Sequence, residues 1–209
     1  MIDLDCCVLW LDSKYFSESY WWDRSKYRNN GVVHGAKWKG DGFYFDGVND
    51  YVDCGNHKSL NITGDLSIVL WVNFVSVTGV NGQGLVGHKN YSNWMLYTYD
   101  KYLYYRYSNT DSEIQYLHVG PILRSGLQHI SFTWNDSDKE AKFYIDGDHK
   151  GSATGTGSIK NTGFQELLIG AVSPTLRLLN GKIYNVLVFE KTLSSEEIQI
   201  LCNLMYRKV

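Results

Sequence analysis

Short apolar segments, alternating or β-branched, recur along the whole chain, and Gly, Asn or Asp interrupts almost every one before a helix-length run builds up. The segments Val8 to Leu11, Gly42 to Phe45, Tyr51 to Cys54, Leu66 to Phe74, Gly84 to His88 and Trp94 to Thr98 read as strands. So do Leu103 to Tyr107, Gln128 to Trp134, Ala141 to Ile145, Leu167 to Ile169 and Gly181 to Phe189. So many strands call for two packed sheets or a closed barrel. Asp146-Gly147 follows an alternating run and marks a tight hairpin; a second, weaker one turns at Asp100-Lys101. One helix is expected, near the C-terminus, where Ser194 and Glu197 form a capping box and Ile198, Leu201 and Cys202 share a face. It would cover an open end of the sandwich. No proline-rich linker, composition shift or internal repeat marks a boundary, so residues 1–209 are expected to form a single domain.

Charge and cysteine content narrow the function. Twenty Lys and Arg stand against 22 Asp and Glu, with no basic block to neutralise a run of phosphates, which excludes a nucleic-acid grip. No apolar run reaches the roughly 18 residues of a membrane span, and the opening Met1-Ile2-Asp3-Leu4-Asp5 is acidic where a signal peptide is basic. No membrane insertion is expected. The chain either works inside a cell or particle or is a fragment of a longer exported parent chain. Cys6, Cys7, Cys54 and Cys202 lack a C-x-x-C spacing, which argues against structural zinc. Each reads as a buried thiol, but Cys6 or Cys7 would meet Cys202 as a disulfide if the terminal strands lie side by side.

The order of motifs resembles the laminin-G-like, concanavalin A-like jelly-roll superfamily. Asp23-Arg24-Ser25, Asn29-Asn30-Gly31 and Gly35-Ala36 are similar to the family's opening loop. Gly42-Phe43-Tyr44-Phe45-Asp46-Gly47-Val48-Asn49-Asp50-Tyr51-Val52 resembles its most characteristic stretch. Leu66 to Val72, His129 to Asn135 with Tyr144 to Gly147, Leu168 to Gly170, Gly181 to Phe189 and Leu193 to Ile198 continue the series in order. The resemblance implies an all-β, two-sheet antiparallel jelly-roll sandwich with one short C-terminal helix. It also implies a lectin-like, non-catalytic module that binds a glycan or glycoprotein at a cell or virion surface. A structural module that mediates adhesion or self-association is the alternative on the same fold, and a glycoside hydrolase is third.

Three chemistries follow. Asp46, Asn49 and Asp50 sit in a Gly-containing turn, and with Asp23 and Asn30 folded over it they would offer the hard oxygens Ca²⁺ takes, about 6 to 8 of them. The resemblance implies a structural calcium in this region; the other reading is that these side chains only cap their own turns. In the Tyr-rich hairpin from Tyr91 to Tyr107, alternation places Tyr97, Tyr99, Tyr102, Tyr104 and Arg106 opposite Leu96 and Leu103. That face suits sugar rings and hydroxyls, or else the tyrosines pack across strands and only stabilise the hairpin. Trp21, Trp22 and Trp38 read as loop core, with a second sugar platform as the other reading. No catalytic residues are expected: the Glu-x-Asp-x-Glu strand of glucanases on this fold is absent, and no Gly-x-Ser-x-Gly elbow occurs.

Overall fold

In the computed structural model, which describes residues 2–78, 82–163 and 165–206, the alternation becomes sixteen strands and one α-helix. The first six are β1 (Cys7–Phe16), β2 (Tyr20–Asp23), β3 (Gly31–His34), β4 (Lys37–Trp38), β5 (Phe43–Asp46) and β6 (Tyr51–Asp53). Then come β7 (Leu66–Phe74), β8 (Gln83–His88), β9 (Trp94–Tyr99), β10 (Tyr102–Ser108) and β11 (Ile114–Val119). The last are β12 (Gly126–Asn135), β13 (Glu140–Ile145), β14 (Asp148–Thr154), β15 (Leu167–Ile169), β16 (Asn180–Phe189) and the helix α1 (Ser195–Tyr206). No helix among the described residues is long and apolar enough to cross a membrane.

Pairing is antiparallel throughout, in the order β11-β10-β9-β8-β15-β6-β3-β2-β1-β16-β7-β12-β13-β14. The jelly-roll sandwich is therefore as expected, with one refinement: its two layers are hydrogen-bonded into a single ladder. The connection is made by β1, whose first half pairs with β16 while its far end, after a register shift between Leu11 and Phe16, pairs with β2 in the other layer. Between the layers Tyr105 of β10 stacks on Phe132 of β12 at 4.1 Å, and Tyr107 meets Trp134 at 5.0 Å. Offset aromatic contacts of this kind add to the area they bury.

β7 reads as an almost unbroken apolar run because both its faces are covered. Leu66, Ile68, Leu70, Val72 and Phe74 enter the core between the layers, while Val69 and Trp71 enter a second cluster beneath the helix. The helix starts as expected: Glu197 N–H donates to Ser194 Oγ (3.2 Å) and Ser194 N–H donates to Glu197 Oε2 (2.9 Å). It does not close an open end of the sandwich. Ile198, Leu201 and Cys202 lie on the outer face of the layer, against Val69, Trp71, Leu187 and Phe189 of β7 and β16. That sheet face carries large apolar side chains, so it needs a lid of its own.

The terminal strands do lie side by side, with Cys7 opposite Phe189. The disulfide is not formed: Cys6, Cys7, Cys54 and Cys202 are all free thiols. Cys7 and Cys202 share the cluster under the helix, but the Cys7 thiol donates to the Leu9 carbonyl (3.2 Å), and Cys6 donates to Asp3 (3.7 Å). Burial pushes Cys7 up to about 12 and Cys202 up to about 11, so both stay protonated and poorly nucleophilic.

Candidate functional site

The hairpin β9–β10 is closed by Asp100 and Lys101, both left-handed (φ 43° and 67°), which is the geometry a two-residue turn needs to keep its strands in register. Register and alternation then lay out the outer face as a grid. Across β9, β10 and β11 run the rows Met95, Arg106, Tyr116 and Tyr97, Tyr104, His118, with the pair Tyr99, Tyr102 beside the turn. The opposite faces of the same strands send Trp94, Leu96, Leu103, Tyr105 and Tyr107 into the core. Gly87 of β8 admits β9 closely: a Cβ there would lie 2.5 Å from Met95 Cα.

The structure thus brings Tyr97, Tyr99, Tyr102, Tyr104 and Arg106 together on one face, but it does not present them equally. Tyr97 is only 5% exposed, buried against Met95 and Val172, with Tyr91 packed edge-on to its ring at 5.8 Å. It is not available to a ligand as the sequence suggested, because the loops around Tyr91 and Val172 cover it. Tyr104 stacks on Tyr97 at 5.2 Å on one side and approaches His118 at 4.7 Å on the other. With ring faces so engaged, Tyr104 contributes its edge and hydroxyl. Tyr99 and Tyr102 remain half-buried, and Tyr116 is 56% exposed.

Four members of this face were missed in the sequence. Tyr116 and His118 alternate along β11 and were legible in principle, while Tyr91 and Arg177 come from loops that no periodicity announces. Tyr91 follows Asn90 in a left-handed turn (φ 58° and 57°), and its carbonyl accepts a hydrogen bond from Arg106 Nη1. Arg106 also lies 4.8 Å from the Tyr91 ring and 5.8 Å from the Tyr116 ring, and Arg177 lies 5.1 Å from Tyr97 and 5.6 Å from Tyr99. Burial holds the Tyr91, Tyr97 and Tyr104 phenols above their ordinary range, and Arg177 pulls the first two back. All three remain hydroxyls, able to donate.

The candidate metal ligands are engaged otherwise. Asp23 accepts from Trp10 N–H (2.7 Å), Ser25 N–H (2.8 Å), Ser25 Oγ (2.7 Å) and Asn29 N–H (2.7 Å), while Asn30 Oδ1 accepts from Asp23 N–H (2.9 Å). Asp46 caps Val48 N–H (2.8 Å) and Asn49 N–H (3.4 Å), and Asp50 caps Asp46 N–H (2.9 Å). These oxygens serve two separate sets of backbone amides rather than converging on a point, and no group of three metal-ligating side chains is found among the described residues. So engaged, the donor set does not fit calcium. Calcium and EDTA are accordingly expected to leave the melting temperature unchanged, and a rise in saturating calcium would reveal a site.

Of the tryptophan cluster only Trp21 is core. Trp22 (40% exposed) stacks on Tyr20 at 5.0 Å and Trp38 (41%) on Phe16 at 4.7 Å. Elsewhere a cavity of about 470 Å³ lies beneath the helix, lined in part by Trp71, Gln199 and an Arg124–Asp146 ion pair of 2.8 Å that neutralises its own charges.

A family model described as the concanavalin A-like lectin/glucanases superfamily matches residues 46–199. Among solved structures, the binding domain of Paraclostridial mosquitocidal protein 1 is 18% identical, with a TM-score of 0.74 over 97% of this chain and 53% of that one. The binding domain of botulinum neurotoxin DC in complex with rat synaptotagmin II is 15% identical, with a TM-score of 0.74 over 97% and 52%. The botulinum neurotoxin serotype D ligand-binding domain in complex with N-acetylneuraminic acid is 16% identical, with a TM-score of 0.72 over 96% and 51%. The chain spans about half the length of these structures, and at such identity the likeness is one of fold. No curated protein matches it in sequence.

Proposed function

The chain belongs to the concanavalin A-like lectin/glucanases superfamily, and from that premise we propose that it is a non-catalytic module that recognises a carbohydrate or glycoconjugate through the outer face of β9, β10 and β11. The observation that carries this is the grid itself with the residues packed on it: a sheet face opposite the core assembles six tyrosines, a histidine and two guanidiniums. Phenol hydroxyls and guanidiniums match sugar hydroxyls, and the exposed Tyr116 ring offers an apolar surface to a pyranose C–H face.

Two further observations favour recognition over catalysis. The solved domains of like fold are binding domains. Asp136 and Asp146 sit in turns and are occupied: Asp136 pairs with Lys139 (3.1 Å) and accepts from Ser158 (2.9 Å), while Asp146 caps His129 N–H (2.9 Å) and pairs with Arg124 (2.8 Å). A second reading, self-association, is favoured by the exposed stacked pair Tyr20 and Trp22, whose cross-strand neighbour Val32 is also exposed.

A glycan array followed by calorimetry tests the first reading. One open site is expected to bind with a Kd on the order of 1 mM, about -4 kcal/mol, so several copies would supply avidity. Tyr116→Ala and Tyr102→Ala are each expected to weaken binding about tenfold, or about 1.4 kcal/mol, with little change in melting temperature. Tyr97→Ala is expected to lower stability instead, since its ring is buried. Sugar binding indifferent to Tyr102 and Tyr116 would overturn the assignment, and a dimer in light scattering that Trp22→Ala dissolves would favour the second reading.

A further inference from the structure

We infer that the sugar taken by this face carries an oxyanion, a carboxylate or a sulfate, bound by Arg106 and Arg177; the inference rests on the recognition reading above. Tyr91 and Tyr97, packed edge-on at 5.8 Å, link the two cations. Arg106 donates to the Tyr91 carbonyl and lies over the Tyr91 ring, while Arg177 lies 5.1 Å from the Tyr97 ring. Two guanidiniums are thereby held on one face with this pair of phenols between them.

The groups around them are donors. A guanidinium has about five N–H donors and no acceptor, and Arg106 gives one to Tyr91 and has no carboxylate partner among the described residues. The rings of Tyr91, Tyr97 and Tyr104 are packed by Arg106, Arg177, His118 and one another. A chain with a net charge of -2 thus holds a locally cationic face. Stacking closes the faces of Tyr97 and Tyr104, which turns the site away from broad apolar contact and toward hydrogen bonding at ring edges. Guanidinium forks and phenol O–H groups together favour a ligand oxygen with full negative charge, because charge-assisted hydrogen bonds are roughly twice as strong as neutral ones. Two cations suffice for one oxyanion and are too few for a phosphate polymer.

The test titrates the unmodified chain with three oligosaccharides of one backbone: neutral, uronic-acid-bearing and sulfated. One acidic form is expected to bind about tenfold more tightly than the neutral one at low salt, and the advantage is expected to shrink as sodium chloride is raised. The tighter of the two acids identifies the oxyanion. Arg106→Gln, checked for an unchanged melt, is expected to erase most of the difference, and Arg106→Lys to restore part of it. Equal binding of all three sugars, or an acidic preference that survives both Arg106→Gln and high salt, would overturn this inference and leave the recognition reading standing. Binding of none would overturn both.

Discussion

Phe132→Ala is expected to remove about 3 to 5 kcal/mol of stability, the usual cost of deleting a buried aromatic ring. Phe132 is fully buried at the middle of β12, stacked on Tyr105 from the other layer at 4.1 Å and edge-on to Phe143 at 5.3 Å. The cavity left behind would open between the layers, where the neighbouring rings are rigid and collapse poorly. Against a total of about 5 to 15 kcal/mol for a folded domain, the loss is large. Urea unfolding followed by tryptophan fluorescence measures it; a loss below about 1 kcal/mol, the range of surface substitutions, would show that the layers are not held there. The same variant is expected to weaken ligand binding, since Tyr105 sits between Tyr104 and Arg106 on β10 and sends its ring inward while they face out.

Acid is expected to destabilise the fold well before its carboxylates titrate. His129 is fully buried on β12, with its ring 5.1 Å from that of Trp71 and no hydrogen-bond partner for Nδ1 among the described residues. Burial lowers it from 6.5 to about 3. The unfolded chain therefore binds a proton that the folded chain refuses. Stability is full above about pH 6.5 and falls by about 1.4 kcal/mol per pH unit until the folded state protonates near pH 3, a loss of about 3 kcal/mol by pH 4. His88 shifts the same way, by burial, opposed by its contacts with the Gln165 and Leu60 carbonyls at 3.1 Å. Unfolding free energies at pH 7, 5.5 and 4 give the slope, and His129→Gln is expected to flatten it. A slope unchanged by that substitution would assign the acid sensitivity elsewhere.

The strands with an apolar face were legible in the sequence, and those without one were not. β7 and β15 have the expected bounds because each is buried and apolar along nearly its whole length. β14 is polar and mostly exposed, so only the Asp146-Gly147 turn points to it, and β2, β3 and β4 are too short to show a period. At the candidate site, alternation sorted Tyr97, Tyr99, Tyr102, Tyr104 and Arg106 correctly onto one face. It was silent on what covers that face, because Tyr91, Val172 and Arg177 arrive through tertiary packing of irregular loops. The candidate calcium ligands were ambiguous in the sequence for a related reason. Asp and Asn cap backbone amides with the same oxygens that would coordinate a metal, and only the direction of the amides separates the two uses.

The unbroken ladder has a consequence for solubility. A sixteen-stranded open sheet would end in two bare edges, each a template for a strand from another molecule. Here the ladder turns back far enough that its last strands, β11 and β14, lie against one another, close enough that a Cβ on Gly151 would strike Val119. An incoming chain that sought to extend either edge would meet the other strand in its way. The strands that carry the candidate site are thereby shielded from edge-to-edge polymerisation by the path of the chain itself, even though β11 displays an exposed tyrosine and β14 has almost no apolar face of its own.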